Sequence, residues 1–436
     1  MPPNLPAEIV EVVVHALAPR HPHVHLHLLL DLDRRFDRPA LEAALRGLVA
    51  AFPVLGSRYE PAFWRDRWVP WEGDLAARVH VEEVADVEAA SRVWARRALE
   101  HTREPPVRLA FFGCGDGGRL VLTLHHMVAD GGGVKAAAGA LAALLAGVEP
   151  NPPSSADRRL MRVARALSLR DLPVLAVEFL REGLLPLSSL QVQRLRHGLS
   201  HGDGRPDPQW RTLTGGPAFA ASCRAGGLTV NDGLVAAVAL LASLRAEQGP
   251  VMVAYTVDLR RYLRESHALV TNLAGVSMVV LPRAATATAD AARAAVHAAI
   301  GEQKRRLTGV SYALLPALAV GWWPHGLLRA VGRAILGQIM RRFDRAIAVT
   351  NIGTLDEALA PLGESVRAAS ITGPFIHGIP VPVVTATGFR GGLTLQVVAT
   401  GRHSPEDLAA FSADLETAMA DIQGATSSPP MPRPDP

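Results

Sequence analysis

The residues best suited to chemistry are His125-His126-Met127-Val128-Ala129-Asp130-Gly131. An imidazole titrates near neutral pH, so a histidine in a cleft can take the proton from a hydroxyl or amine as that group attacks a thioester carbonyl. Neighbours on a strand point to opposite sides, so the two histidines do not act together on one substrate atom, and His126 is assigned as the base. Asp130 either orients that histidine or pairs with a distant arginine that holds the turn closed, and the residues alone leave both readings open. Gly131 suits a sharp reversal close to the opening of a site, and Gly132 and Gly133 extend its freedom. A thioester carries its own activation, so no metal, nucleotide or redox cofactor is needed, and none has a motif here.

The flanking elements must present this turn. Val107–Gly113 and Arg119–His125 are apolar, partly alternating runs on either side of the glycine-rich Cys114–Gly118, the pattern of a β-hairpin whose second strand ends in the histidines. The alanine- and leucine-rich Val134–Ala146 reads as a helix closed by Gly147. Upstream, His23–Asp33 alternates as a strand, with Val24, Leu26 and Leu28 on one face and His23, His25 and His27 on the other. The latter is read as a polar sheet face rather than a metal site. Pro39–Phe52 has helical spacing and stops at Pro53.

Glu149–Ser155 is linker-like, and Leu160–Leu199 reads as amphipathic helices joining two lobes, followed by a loop at Gly202–Pro208. Beyond it, Asn231 or Asp232 is expected to cap a long apolar helix reaching Arg245. Val251–Val257, Val276–Leu281, Arg345–Thr350 and Leu393–Thr400 are strand-like, while Asp290–Arg306 and Pro405–Ile422 are helical, which gives an α/β (α+β) chain of mixed sheets and helices. The expected division is a first lobe at 1–156, a helical connection at 157–209, a second lobe at 210–423 and a disordered tail from 424 to 436.

At 436 residues, with 49% hydrophobic and 20% charged, the chain is long and apolar enough for two globular lobes. Its two cysteines, Cys114 and Cys223, have no disulfide or zinc spacing, and with no signal-peptide pattern at the start a cytoplasmic monomer is expected. Leu307–Leu328 is uncharged and long enough to span a bilayer, but Pro316 and Pro324 argue against a continuous helix. Charge is uneven: Asp157–Arg196 carries +4 and Glu302–Arg345 carries +6, leaving the remainder negative. Such basic stretches are either solvated helix faces or surfaces for phosphates, an acidic carrier protein or lipid. No nucleic-acid motif accompanies them.

His125–Gly131 resembles the HHxxxDG motif of the acyltransferase superfamily that contains nonribosomal peptide condensation domains, wax ester synthases and polyketide-associated acyltransferases. Thr229–Asp232, Val257-Asp-Leu-Arg260, Asn272 followed by Val276-Ser-Met278, and Thr350-Asn-Ile-Gly353 resemble the family's later landmarks in the same order. The resemblance implies two chloramphenicol-acetyltransferase-like lobes in a V-shaped pseudo-dimer, with the motif midway along a tunnel between them. It implies that His126 is catalytic, His125 is structural, and Asp130 pairs with Arg260, with Arg261 as the fallback. Coenzyme A or phosphopantetheine on a carrier protein would hold the acyl donor, and an alcohol or amine would accept it.

Two departures narrow the likeness: the Pro-Leu-Asp opening of wax ester synthases and the DFGWG motif of plant members are both missing. Thr350–Gly353 looks closer to standalone bacterial condensation enzymes. Asn351 and Asn272 are substrate-binding candidates, though an asparagine before glycine also serves simply as a turn residue. Trp64, Trp68, Trp71, Trp322 and Trp323 either line an apolar tunnel or pack the core. Two other functions stay open: a peripheral lipid acyltransferase that rests Leu307–Arg345 on a membrane, and a docking module without turnover.

Overall fold

The computed structural model describes residues 4–17, 23–150, 157–168, 170–188, 209–245, 249–263, 269–343, 347–375, 382–399 and 404–425. The expected loop at 202–208 lies outside them, as do the end of the helical connection and the tail beyond Ala425. Gly424 itself closes the helix Pro405–Ala425 rather than opening a tail.

The glycine-rich hairpin forms as its pattern requires. Strands β6 (Val107–Cys114) and β7 (Gly117–His125) pair antiparallel from Val107 opposite Leu124 to Cys114 opposite Gly117, with Gly115 at φ +60° in the turn. Strand β2 (His25–Leu32) pairs antiparallel with the other side of β7, which sets His25 opposite His125. Strand β5 (Val79–Glu83) adds to β6 in parallel. A small separate sheet joins β1 (Leu5–Pro6), β4 (Arg67–Pro70) and β3 (Ser57–Glu60).

The second half builds a six-stranded sheet in the order β10, β9, β11, β13, β14, β8. These strands are β8 Gln209–Thr212, β9 Val251–Asp258, β10 Ala274–Leu281, β11 Ile347–Thr354, β13 Val383–Phe389 and β14 Gly392–Ala399. Strand β11 runs parallel to both β9 and β13, while the other pairings are antiparallel. The helix Val230–Arg245 packs on this sheet and buries every residue from Asp232 to Ser243. The side chain at its start is Thr229, whose hydroxyl accepts the Asp232 N–H at 3.1 Å; Asp232 is the donor there, contrary to its expected capping role.

One strand crosses between the halves. Strand β12 (Val366–Thr372), far along the chain, pairs antiparallel with β2 and completes the first sheet, in the order β12, β2, β7, β6, β5. Strands β12 and β7 flank β2 on its two edges, and the histidine side of β2 is covered by the His125 ring, by Phe375 and by the backbone at Leu99. His23, His25 and His27 are therefore buried, where the alternation alone suggests a polar sheet face. The division at 156 and 209 has no place for this exchange.

The five tryptophans do not form one lining. Trp68 is fully buried with its Nε1–H on Glu11, whereas Trp64 and Trp322 stand out in solvent. Leu307–Leu328 is not one helix either, since Val310–Val320 ends before Trp322 and a new helix starts at His325. No single described helix is long and apolar enough to cross a membrane. The bent pair Gly216–Ala225 and Val230–Arg245, 108° apart, passes that test by length and composition, but the second helix lies in the core.

Candidate active site

Strand β7 ends at His125, and the backbone leaves the sheet over the next four residues. The His126 N–H still donates to Val24 O at 2.9 Å, and the Val128 N–H turns back to His125 O at 3.0 Å. Asp130 then caps the helix Gly131–Leu145, its Oδ1 accepting the Gly133 N–H at 2.7 Å. A strand ending directly in a capped helix leaves only a tight turn, and His126 sits on it.

The two imidazoles are held in opposite tautomers. His126 Nδ1 lies 2.7 Å from Ala129 O, and a carbonyl only accepts, so Nδ1 carries the proton and Nε2 carries the lone pair. Nε2 has no hydrogen-bond partner among the described residues. The His126 side chain as a whole is half-buried. Burial pulls the His126 pKa below the ordinary imidazole value, and the Ala129 carbonyl and the Asp130 charge act against that pull. The ring is neutral at neutral pH. His125 instead accepts the Met127 N–H on Nδ1 at 3.2 Å, is fully buried, and supports the turn from behind.

Asp130 makes no hydrogen bond to the His126 ring, so of the two roles open to it the structure selects the arginine. Its Oδ2 accepts Arg260 Nη1 at 2.9 Å and the Leu273 N–H at 2.8 Å. Arg260 also donates through Nη2 to Thr271 O at 2.8 Å and Leu269 O at 3.3 Å, and through Nη1 to Asp258 at 3.1 Å. Arg261 lies over the Tyr262 ring and takes no part in this ion pair. Burial works against the Arg260 charge, but Asp130 and Asp258 more than offset it and its pKa is raised. Asp130 thus bolts the turn to the second half of the chain and does not touch the imidazole.

Asn272 belongs to the same unit. Its Nδ2 donates to the His126 backbone carbonyl at 3.0 Å, and its Oδ1 accepts the Ala274 N–H at 3.3 Å. It braces the histidine from the second half, a role that its distance in sequence conceals. Removing that bond in Asn272→Ala is expected to cost about 1 kcal/mol of positioning and slow turnover several-fold, with thermal stability little changed. Steady-state rates and a melting curve check it; unaltered rates would show that the brace does not matter.

The glycines are used for close approach. A side chain at Gly132 would overlap the Arg260 guanidinium, one at Gly133 would come 2.9 Å from Thr271 O, and one at Gly131 would meet Ile352 at 3.2 Å. Ile352 follows Asn351, so β11 touches the motif helix here. The Asn351 side chain itself is spent locally: Oδ1 accepts the Gly353 N–H at 3.0 Å, at the register shift between Asn351 and Gly353. That is the turn role, and no contact brings it to His126.

Sequence reasoning missed three parts of the site. These are the Ala129 carbonyl that sets the tautomer, the backbone of Thr271 and Leu273, and a stack of rings behind His125. His101 lies 4.6 Å and His25 5.3 Å from His125 by ring centroids, and His15 joins His101 at 2.9 Å between ring nitrogens. Backbone atoms leave no trace in residue types, and only the alternation of His23, His25 and His27 hinted at the stack. Two surface cavities, of about 430 and 220 Å³, lie elsewhere and are not lined by the turn.

No protein-family model matches the sequence, and no curated protein is detectably similar to it. Solved structures are similar in fold over nearly the whole chain. The trichothecene 15-O-acetyltransferase from Fusarium sporotrichioides matches with TM-score 0.66 and 12% identity, over 97% of this chain and 95% of its own. The first condensation domain of the calcium-dependent antibiotic synthetase, in complex with a substrate analogue, gives 0.64 and 19% over 98% of each chain. The epimerization domain from the third module of tyrocidine synthetase B gives 0.63 and 15%, over 97% of this chain and 98% of its own. The chain therefore has the fold of condensation domains, a fold that these three proteins put to different reactions. Selecting among reactions falls to the site.

Proposed function

We propose that the protein is a condensation-type acyltransferase, with His126 Nε2 as the base. A hydroxyl or amine attacks the thioester carbonyl while Nε2 takes its proton; the new C–O or C–N bond forms, the C–S bond breaks, and the imidazolium returns the proton to the departing thiolate. The observation that carries this reading is the fixed tautomer: the proton on Nδ1 is held by Ala129 O, which leaves the lone pair on Nε2. Asp130, Arg260 and Asn272 hold the ring where the two halves of the chain meet.

The acyltransferase and condensation domains among the structural neighbours support a transferase. The donor is an acyl group on coenzyme A or on the phosphopantetheine arm of a carrier protein. The acceptor is a small alcohol or amine, reaching His126 from the other mouth of a channel between the lobes. No step needs a metal or redox group. Incubation with a panel of acyl thioesters, alcohols and amines, read by intact-mass and product analysis, is expected to show thiol release matched one for one by acylated acceptor. Thioester hydrolysis with no acceptor product would contradict it.

A further inference from the structure

Two distant segments make a rigid platform that presents its largest apolar side chains outward. The loop between β3 and β4 is tied to the turn that separates the helices Val310–Val320 and His325–Phe343. Arg65 Nη1 donates to Gly321 O at 2.9 Å and Trp323 O at 3.3 Å, and Nη2 to Trp322 O at 3.4 Å. In return the His325 and Gly326 N–H groups donate to Trp64 O and Phe63 O at 3.1 and 2.7 Å. Beneath them Asp66, buried, takes the Arg329 guanidinium and donates its own N–H to His325 Nδ1 at 2.8 Å. The backbone is thus fixed and its polar groups are used.

The side chains are not buried by all this order. Phe63 is 61% exposed, Trp64 71%, Trp322 72%, Leu318 40% and Leu327 44%. Exposed tryptophans on a hydrogen-bonded support mark an interaction surface rather than incomplete packing. Charge narrows the partner. Pro61–Arg65 and Leu307–Ala334 contain no acidic residue, and Arg333 is exposed on the helix that carries Leu327. Indoles favour the boundary between water and hydrocarbon, and arginines favour anionic headgroups.

We infer that Phe63, Trp64, Leu318, Trp322 and Leu327 form a docking surface for an anionic lipid membrane, with the exposed Arg333 available to the headgroups. The contact is peripheral: the indoles enter the interface and no segment crosses. This inference is independent of the acyl-transfer reading.

The test is flotation of the full chain with phosphatidylcholine vesicles, with and without a share of phosphatidylglycerol, beside sedimentation of the protein alone. The expected result is flotation with the anionic vesicles, weakened by added salt. Partitioning should fall by roughly tenfold or more in the Trp64→Ser/Trp322→Ser variant, whose folding the exposed positions spare, and fall less in Arg333→Glu. His126→Ala should float like the unaltered protein, so failure of the catalytic proposal would not disturb this one. Absence of binding to either vesicle, equal binding by the double tryptophan variant, or a dimer that this variant dissolves would overturn the inference. The last outcome would assign the surface to a second copy of the chain.

Discussion

Replacing His126 with alanine is expected to slow acyl transfer by about a hundred to ten thousand fold, the usual contribution of a positioned general base. The fold should survive. The ring is half-buried and makes one hydrogen bond, to Ala129 O, while the turn keeps the His126 N–H on Val24 O, the Asp130 cap and the Arg260 ion pair, none of which uses the imidazole. A large fall in rate with an unchanged melting temperature is therefore the signature of the proposed role. A loss of less than about tenfold would reduce His126 to positioning substrate, and a collapse of the fold would place it among the supports.

The second large effect is acid lability. His25, His27 and His125 are buried in the first sheet, and burial lowers all three far below the usual imidazole value of 6.5. His15 is lowered to about 4 and His101 to about 3, each by burial first. The unfolded chain binds protons at these sites from about pH 6.5 downward and the folded chain does not. Stability is thus fully present above the unfolded value and is lost as pH falls towards the depressed folded values. Each histidine contributes a slope of about 1.4 kcal/mol per pH unit in that window, so the three in the sheet give roughly 4. Glu8 works the other way: burial, followed by Glu11, raises its carboxyl to about 7, which offsets one histidine between 4.5 and 7. Denaturant unfolding at a series of pH values checks the slope, and a stability that stays level from neutral pH to below 5 would show that these rings charge without cost.

What the sequence revealed and what it hid have a common physical origin. The hairpin, the helix after it and the turn that carries His126 were readable because their signals are local: alternation, a glycine-rich turn, an alanine- and leucine-rich run. Arg260 was separable from Arg261 only through the resemblance, and the structure shows why the former serves: it lies within reach of Asp130, Thr271 O and Leu269 O together. Strand β12 escaped because a period of two fixes which face of a strand is apolar but not which strand it joins, and its partner β2 lies more than three hundred residues earlier. The tryptophans failed as a group for a related reason. Composition cannot tell Trp68, whose indole reaches buried Glu11, from Trp64 four residues before it in solvent. Asn351 and Asn272 looked alike as candidates, yet one closes its own turn and the other holds the His126 backbone carbonyl, a difference set entirely by contacts across the halves.

The pH dependence of kcat/KM tests the base directly, measured across the range where circular dichroism shows the fold intact. The account predicts a fall on the acid side with a midpoint below 6.5, the ordinary imidazole value, since burial lowers the His126 pKa. That limb should vanish from the residual activity of His126→Ala. An acid limb with the same midpoint in both proteins would contradict the account, because the titrating base would then be some other group.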